Sequence, residues 1–155
     1  MANKMMKKNF IKALEKHAES AIAISQGHIF EYASDQGYDL REFVHRYMES
    51  DFCNQEMDSY YSSFHDEFAR PCMEVILKEL SDKGICISKD KDHHFRYCAY
   101  PIGFIYRYLQ LLSGYPSKEL IHRIPFDKMI NDYYVDHWDY ADNIKFICQK
   151  ENIII

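Results

Sequence analysis

Two stretches decide how this chain is read: GHIFEYASDQGYDLREFVHR at 27–46 and GFIYRYLQLLSGYPSKELIHR at 103–123. With one extra residue in the second, Gly27, Ile29, Tyr32, Gly37, Tyr38, Glu42, His45 and Arg46 align with Gly103, Ile105, Tyr108, Gly114, Tyr115, Glu119, His122 and Arg123. The likeness resumes after a five-residue insertion in the first copy, where MDSYYSSFHDEFA at 57–69 lies over MINDYYVDHWDYA at 129–141. There Met57, Tyr61, His65 and Ala69 match Met129, Tyr133, His137 and Ala141. A period this long exceeds that of the common solenoid repeats. The expectation is a single domain over 1–155 with internal repeats at 27–80 and 103–150, packed face to face about a pseudo-twofold axis.

Each copy predicts a helix ending at a glycine, Ile29–Gln36 before Gly37 and Ile105–Ser113 before Gly114, because glycine takes a left-handed C′ conformation without steric cost. Asp39 with Glu42 has the spacing of a capping box, and Ser117 is the corresponding cap in the second copy. Phe43-Val44 and Leu120-Ile121 are then core positions of short helices. Met57, Tyr61, Phe64 and Phe68 fall at i, i+4, i+7 and i+11, an apolar stripe that predicts a helix; Met129, Tyr133 and His137 repeat the spacing. Pro71 and Pro125 suit first-turn positions. Cys72–Leu80 predicts a helix burying Val75, Ile76 and Leu80 and stopped at Lys83-Gly84. An opening helix over 6–25 is supported by Phe10, Leu14, His17, Ala21 and Ile24. Ile85-Cys86-Ile87 and Ile153-Ile154-Ile155 are strand-like enough for a short edge ribbon, with SKDKDHH at 88–94 as a polar loop. The fold class is therefore mainly α.

Composition agrees. The chain has 155 residues, 47% hydrophobic and 28% charged, which suits a packed globular domain. Five Gly and four Pro are too few for the many turns of a sandwich or barrel. The net charge of −5 is unevenly spread: residues 1–20 hold five Lys and two Glu, whereas residues 31–80 hold four basic and twelve acidic groups. An acidic middle repels phosphate and excludes a duplex-binding surface. Cys53, Cys72, Cys86, Cys98 and Cys148 contain no CxxC pair, against a structural zinc or redox motif. No apolar run suits a signal peptide or membrane span, so a cytoplasmic protein with reduced thiols is expected.

The candidate binding residues are those the repeat brings into register: His45, Arg46, Tyr61, His65, His122, Arg123, Tyr133 and His137. Each Tyr–His pair is four apart, one face of a helix. Twofold symmetry would bring the four histidines toward one cleft, where imidazoles bind transition metals or exchange protons near neutral pH. The competing reading is packing, each ring nitrogen held by a backbone carbonyl. No HExxH, GxSxG, Walker A or GxGxxG pattern occurs. Asp92-His93-His94 lacks the companion motifs of a two-metal phosphoesterase and reads as solvated loop. Glu49, Asp51, Glu56 and Asp58, flanking the insertion, are a hydrated face or a surface for a basic partner.

The pattern GY-x3-E-x2-HR, then M-x3-Y-x3-H, with IGFIYRYLQLLSGYPSKEL, resembles small helical bacterial domains of unknown function. Some of these are encoded beside ADP-ribosyltransferase-like genes in operons resembling toxin–antitoxin pairs. Those domains carry one copy with a Tyr-Asp-x-Leu-His core, whereas this chain has Tyr61-Ser-Ser-Phe-His65 and Tyr133-Tyr-Val-Asp-His137 and lacks that Asp. The resemblance implies a partner-binding role and transfers no active site. The expected function is a protein–protein interaction module, acting on an operon neighbour or on a second copy, with no cofactor, nucleic acid or membrane. The alternative is a metal-binding protein or small enzyme using the His/Tyr cluster between the repeats.

Overall fold

The computed structural model describes residues 17–134 and 140–153, with side chains from residue 21 onward. Its elements, in order, are α1 (His17–Asp35), α2 (Leu40–Glu49), a π-helical turn (Phe52–Met57), a 3-10 turn (Ser63–Asp66), α3 (Ala69–Asp82), a 3-10 turn (Arg96–Cys98), α4 (Ala99–Ser113), α5 (Ser117–Arg123), α6 (Phe126–Lys128), a second π turn (Met129–Tyr133) and α7 (Tyr140–Lys150). The protein is mainly helical.

The helices expected over 6–25 and 29–36 are one element, α1, in its described part. It runs through Gly27, which buries rather than ends it. Ala23, Gln26, Gly27 and Phe30 form its buried stripe, while Ile24, expected inward, is exposed. Residues 6–16 lie outside the described residues. Helix α4 is buried on every side from Ile102 to Gln110, and apolar there except for Arg107 and Gln110. It packs chiefly against α1. Their closest approach is at the aligned glycines: a Cβ on Gly103 would lie 2.7 Å from the Gln26 backbone oxygen and 3.0 Å from Gly27 Cα.

Both helix stops are as read. Gly37 and Gly114 have φ of 85° and 74°. The Asp39 carboxylate accepts from the Glu42 amide and caps α2. Glu42 does not close the capping box; its carboxylate accepts instead from the Ser88 amide. Pro116, not Ser117, is the N-cap of α5, because Ser117 is turned inward to a carboxylate. Pro125 likewise sits one position earlier than expected, at the cap of α6.

Among the described residues no edge ribbon is formed. Among the described residues Ile85–Ile87 do not pair with Ile153. Ile87 is buried, and the following residues are clipped to the α1–α2 turn by Asp39 N–H to the Ser88 carbonyl (2.8 Å) and Asp90 N–H to the Gly37 carbonyl (2.8 Å). Ile87 and Ile153 are taken up by core packing, while Ile154 and Ile155 lie outside the described residues. The 88–94 loop is thereby anchored, with Lys89 over the Tyr38 ring and His93 Nδ1 donating to the Ser34 carbonyl.

The same order of elements recurs in the two aligned stretches: a long helix, a positive-φ glycine, a short helix, a π turn, a further helix. Some contacts correspond as well: α1 touches α3 as α4 touches α7, and each π turn touches the helix that follows it. We propose on these grounds that the two stretches are copies of one unit.

The Gly27–Gly103 crossing yields a prediction. Gly103→Ala would press a methyl onto rigid backbone, so a loss of about 1–3 kcal/mol is expected in urea denaturation. At Gly27 the methyl would lie 2.7 Å from the Tyr100 ring and 3.0 Å from the Tyr100 carbonyl oxygen. The helix-propensity gain of about 0.5–1 kcal/mol offsets part of the cost. Gly27→Ala should therefore also destabilise, but by less than Gly103→Ala, because its backbone contact is the longer one.

Candidate functional site

The stretch expected as one helix over 57–68 is instead a π turn, an irregular link and a 3-10 turn. The local sequence explains this: Asp, Ser and Asn side chains bond nearby backbone in competition with helix. Ser59 Oγ donates to the Glu56 carbonyl and lies 3.0 Å from that of Tyr61; Ser62 Oγ accepts from the Phe64 amide and caps the 3-10 turn. Asp58 is drawn inward. Its Oδ1 lies 2.6 Å from Arg107 Nη1, and its two oxygens accept from the Ser117 amide (2.7 Å) and hydroxyl (2.5 Å).

Arg107 is wholly buried in the middle of α4. Its guanidinium donates to Gln26 Oε1 through Nε and Nη2 (3.0 and 2.7 Å), to Gln110 Oε1 (2.9 Å), to the Met57 carbonyl (3.2 Å) and to Cys53 Sγ (3.3 Å). Gln26 also accepts from the Tyr47 hydroxyl (2.7 Å) and donates to the Gly103 carbonyl (2.9 Å). Burial alone would lower the Arg107 pKa, but Cys53, Tyr47 and Asp58 outweigh it and the pKa rises, so the charge persists. Neither Gln26 nor Asp58 stood out in the sequence; a base inside FIYRYLQLL was the one signal for Arg107.

The Tyr61–His65 pair does not share a helix face. Tyr61 points to solvent, 82% exposed, and His65 points inward. His65 Nε2 donates to the Glu56 carbonyl (2.9 Å), and the His65 carbonyl accepts from Ser25 Oγ. Tyr133 is buried with its hydroxyl on the Glu151 carboxylate, which Lys128 also meets at 2.7 Å. Burial and that carboxylate push its pKa up. His137 lies outside the described residues. His45 and Arg46 line a shallow depression of about 460 Å³ with Arg41 and Glu49. His122 is exposed and close enough to His45 to act on its charge. Arg123 pairs with Glu119 and covers the Tyr115 ring at 4.3 Å. His45 and His122 thus approach each other, whereas His65 is engaged elsewhere. Among the described residues these three do not form a ligand set.

Thiol chemistry is disfavoured at the buried cysteines. Burial pushes the Cys53 thiol up, Cys72 to about 11 and Cys148 to about 12. Asp90, Asp92 and His94 come within reach of one cation. However, the Asp90 carboxylate already accepts from the Asp92 and His94 amides and His94 Nδ1, so the group is a self-satisfied turn.

Aromatic and acidic side chains are exposed together on the stretch after the first π turn. Tyr60, Tyr61 and Phe68 are 103%, 82% and 82% exposed. Beside Phe68 runs a groove of about 420 Å³ between the C-terminal half of α1 and residues 66–69, holding Glu31, Asp35, Asp66 and Glu67. Phe68, expected in an apolar stripe, is instead at its rim.

The chain matches no family model, no curated protein and no solved structure. In the described residues no helix is long and apolar enough to cross a membrane.

Two outcomes follow from this geometry. Arg107→Met strands Asp58 in a nearly closed site, so a loss of about 3–5 kcal/mol is expected in urea denaturation. Arg107→Met/Asp58→Asn should cost less than the sum of the single changes, because it removes the uncompensated charge. The second concerns pH. Burial holds His45 below the ordinary value of 6.5, against the raising pull of Glu49 and Asp127, and its Nε2 accepts from the Phe126 amide. Unfolding therefore takes up a proton, and the His45 contribution is complete above pH 6.5 and declines as pH falls through the folded-state value. Thermal melts from pH 7.5 to 5 should show a smaller acid loss in His45→Gln than in the natural chain.

Proposed function

We propose that this protein is a small protein–protein interaction module, whose partner is the product of a neighbouring gene in an operon resembling a toxin–antitoxin pair. One observation carries the reading: the link after the first π turn and the start of α3 hold Tyr60, Tyr61 and Phe68 out in solvent, the three most exposed large hydrophobic side chains among the described residues. Large aromatics are the residues that most often anchor protein interfaces. Exposed aromatics cost solvation without returning stability to the isolated fold, and a partner that covers them recovers that cost. The histidines give less support to a metal or acid–base centre, since His65 is held by a backbone carbonyl and His122 faces solvent.

Co-expression with the neighbouring gene product followed by size exclusion tests the proposal. Co-elution in low salt is expected, with the complex weakened about 10-fold or more by Tyr60→Ser/Tyr61→Ser. Separate elution of the two proteins at low salt would overturn it.

A further inference from the structure

The groove beside Phe68 narrows the chemistry of the partner, an inference that rests on the interaction-module reading. Four carboxylates face it: Glu31 and Asp35 from α1, Asp66 and Glu67 from the turn before α3. Two have partners. Arg96 meets Asp35 at 3.0 Å and His28 meets Glu31 at 3.4 Å. Among the described residues no Lys or Arg pairs with Asp66 or Glu67, both exposed. The volume of about 420 Å³ admits one or two side chains. Its wall and rim are aromatic, with Tyr32 half-buried and Phe68 standing out, so a cation entering the groove meets carboxylates at its head and rings along its stem.

We propose that this groove receives a basic segment of a partner protein, a Lys or Arg lodged between α1 and Asp66-Glu67 with a neighbouring apolar side chain on Phe68. Charge complementarity selects a cation. The exposed Phe68 ring at the rim, with Tyr60 and Tyr61 exposed a few residues earlier in the chain, favours a polypeptide over a free polyamine, which would leave those rings uncovered. Uncompensated carboxylates on the approach also accelerate docking of a cationic surface and make it sensitive to salt.

Three synthetic probes distinguish these cases: an amphipathic peptide of Lys and Leu, an oligolysine of equal charge, and spermine, each titrated into the ¹⁵N-labelled full chain. The Lys/Leu peptide is expected to shift the amides of Glu31, Tyr32, Asp66 and Phe68 and to bind about 10-fold more tightly than oligolysine or spermine. Asp66→Lys/Glu67→Lys should weaken it about 10-fold, and about 0.5 M salt should do the same. Glu31→Lys and Phe68→Ser, single surface changes on separate elements, serve should the double variant not fold. Equal binding to these variants, shifts on another face, or spermine binding as tightly as the peptide would each overturn the inference. The broader reading is tested separately: a complex with the operon neighbour that survives Asp66→Lys/Glu67→Lys but is lost in Arg46→Glu would end the groove proposal and leave the interaction module standing.

Discussion

The contact on which the architecture turns is the buried ion pair of Arg107 with Asp58. Arg107 sits in the centre of α4, and Asp58 closes the first π turn while holding the start of α5 through Ser117. Gln26 brings α1 and, through Tyr47, α2 into the same network. A guanidinium has no tolerable state in an apolar interior except with its donors satisfied, so these elements must come together in one arrangement. Such a network adds little net stability compared with an apolar core of the same volume. Its contribution is to select a single packing of helices whose aromatic surfaces would otherwise fit in several registers.

That selection has a consequence at the surface. Because Asp58 turns inward, the chain after it cannot continue as the helix its apolar spacing suggests. It leaves through Ser59 to Ser62, and the 3-10 turn that follows puts His65 inside and its neighbours outside. The aromatics of the 60–68 stretch are divided accordingly: Phe64 packs on Phe52 at a centroid distance of 5.1 Å, while Tyr60, Tyr61 and Phe68 project. The buried charge and the exposed aromatic face are thus two ends of one local event.

The aligned stretches also show where two similar sequences part. Gly27 and Gly103 meet at the same helix crossing, and Ile29 and Ile105 are both in the core. The residue four places after each glycine differs in sign: Glu31 is exposed in the acidic groove, and Arg107 is the buried cation. The base is thus buried in the Arg107 network on one side, and the acid is exposed at the groove on the other. His65 was placed by the 58–62 link and not by helical spacing.

The glycine helix stops, the Asp39 cap and the core positions of the short helices were legible in order of residues alone, because they depend on neighbours a few positions apart, whereas the Ser117 cap and the stripe over 57–68 were not. Gly37 and Gly114 end helices by their freedom at positive φ, Asp39 caps by reach to an amide three residues on, and Phe43, Val44, Leu120 and Ile121 are buried as their spacing required. Only the assembled protein decided the rest. Gln26 and Arg107 are 81 residues apart and Asp58 and Ser117 are 59 apart, so their bonds have no local trace. The direction of Tyr61, His65 and Phe68 followed from those distant bonds, because a buried charge that must find its partner outweighs the modest preference of an apolar stripe for helix.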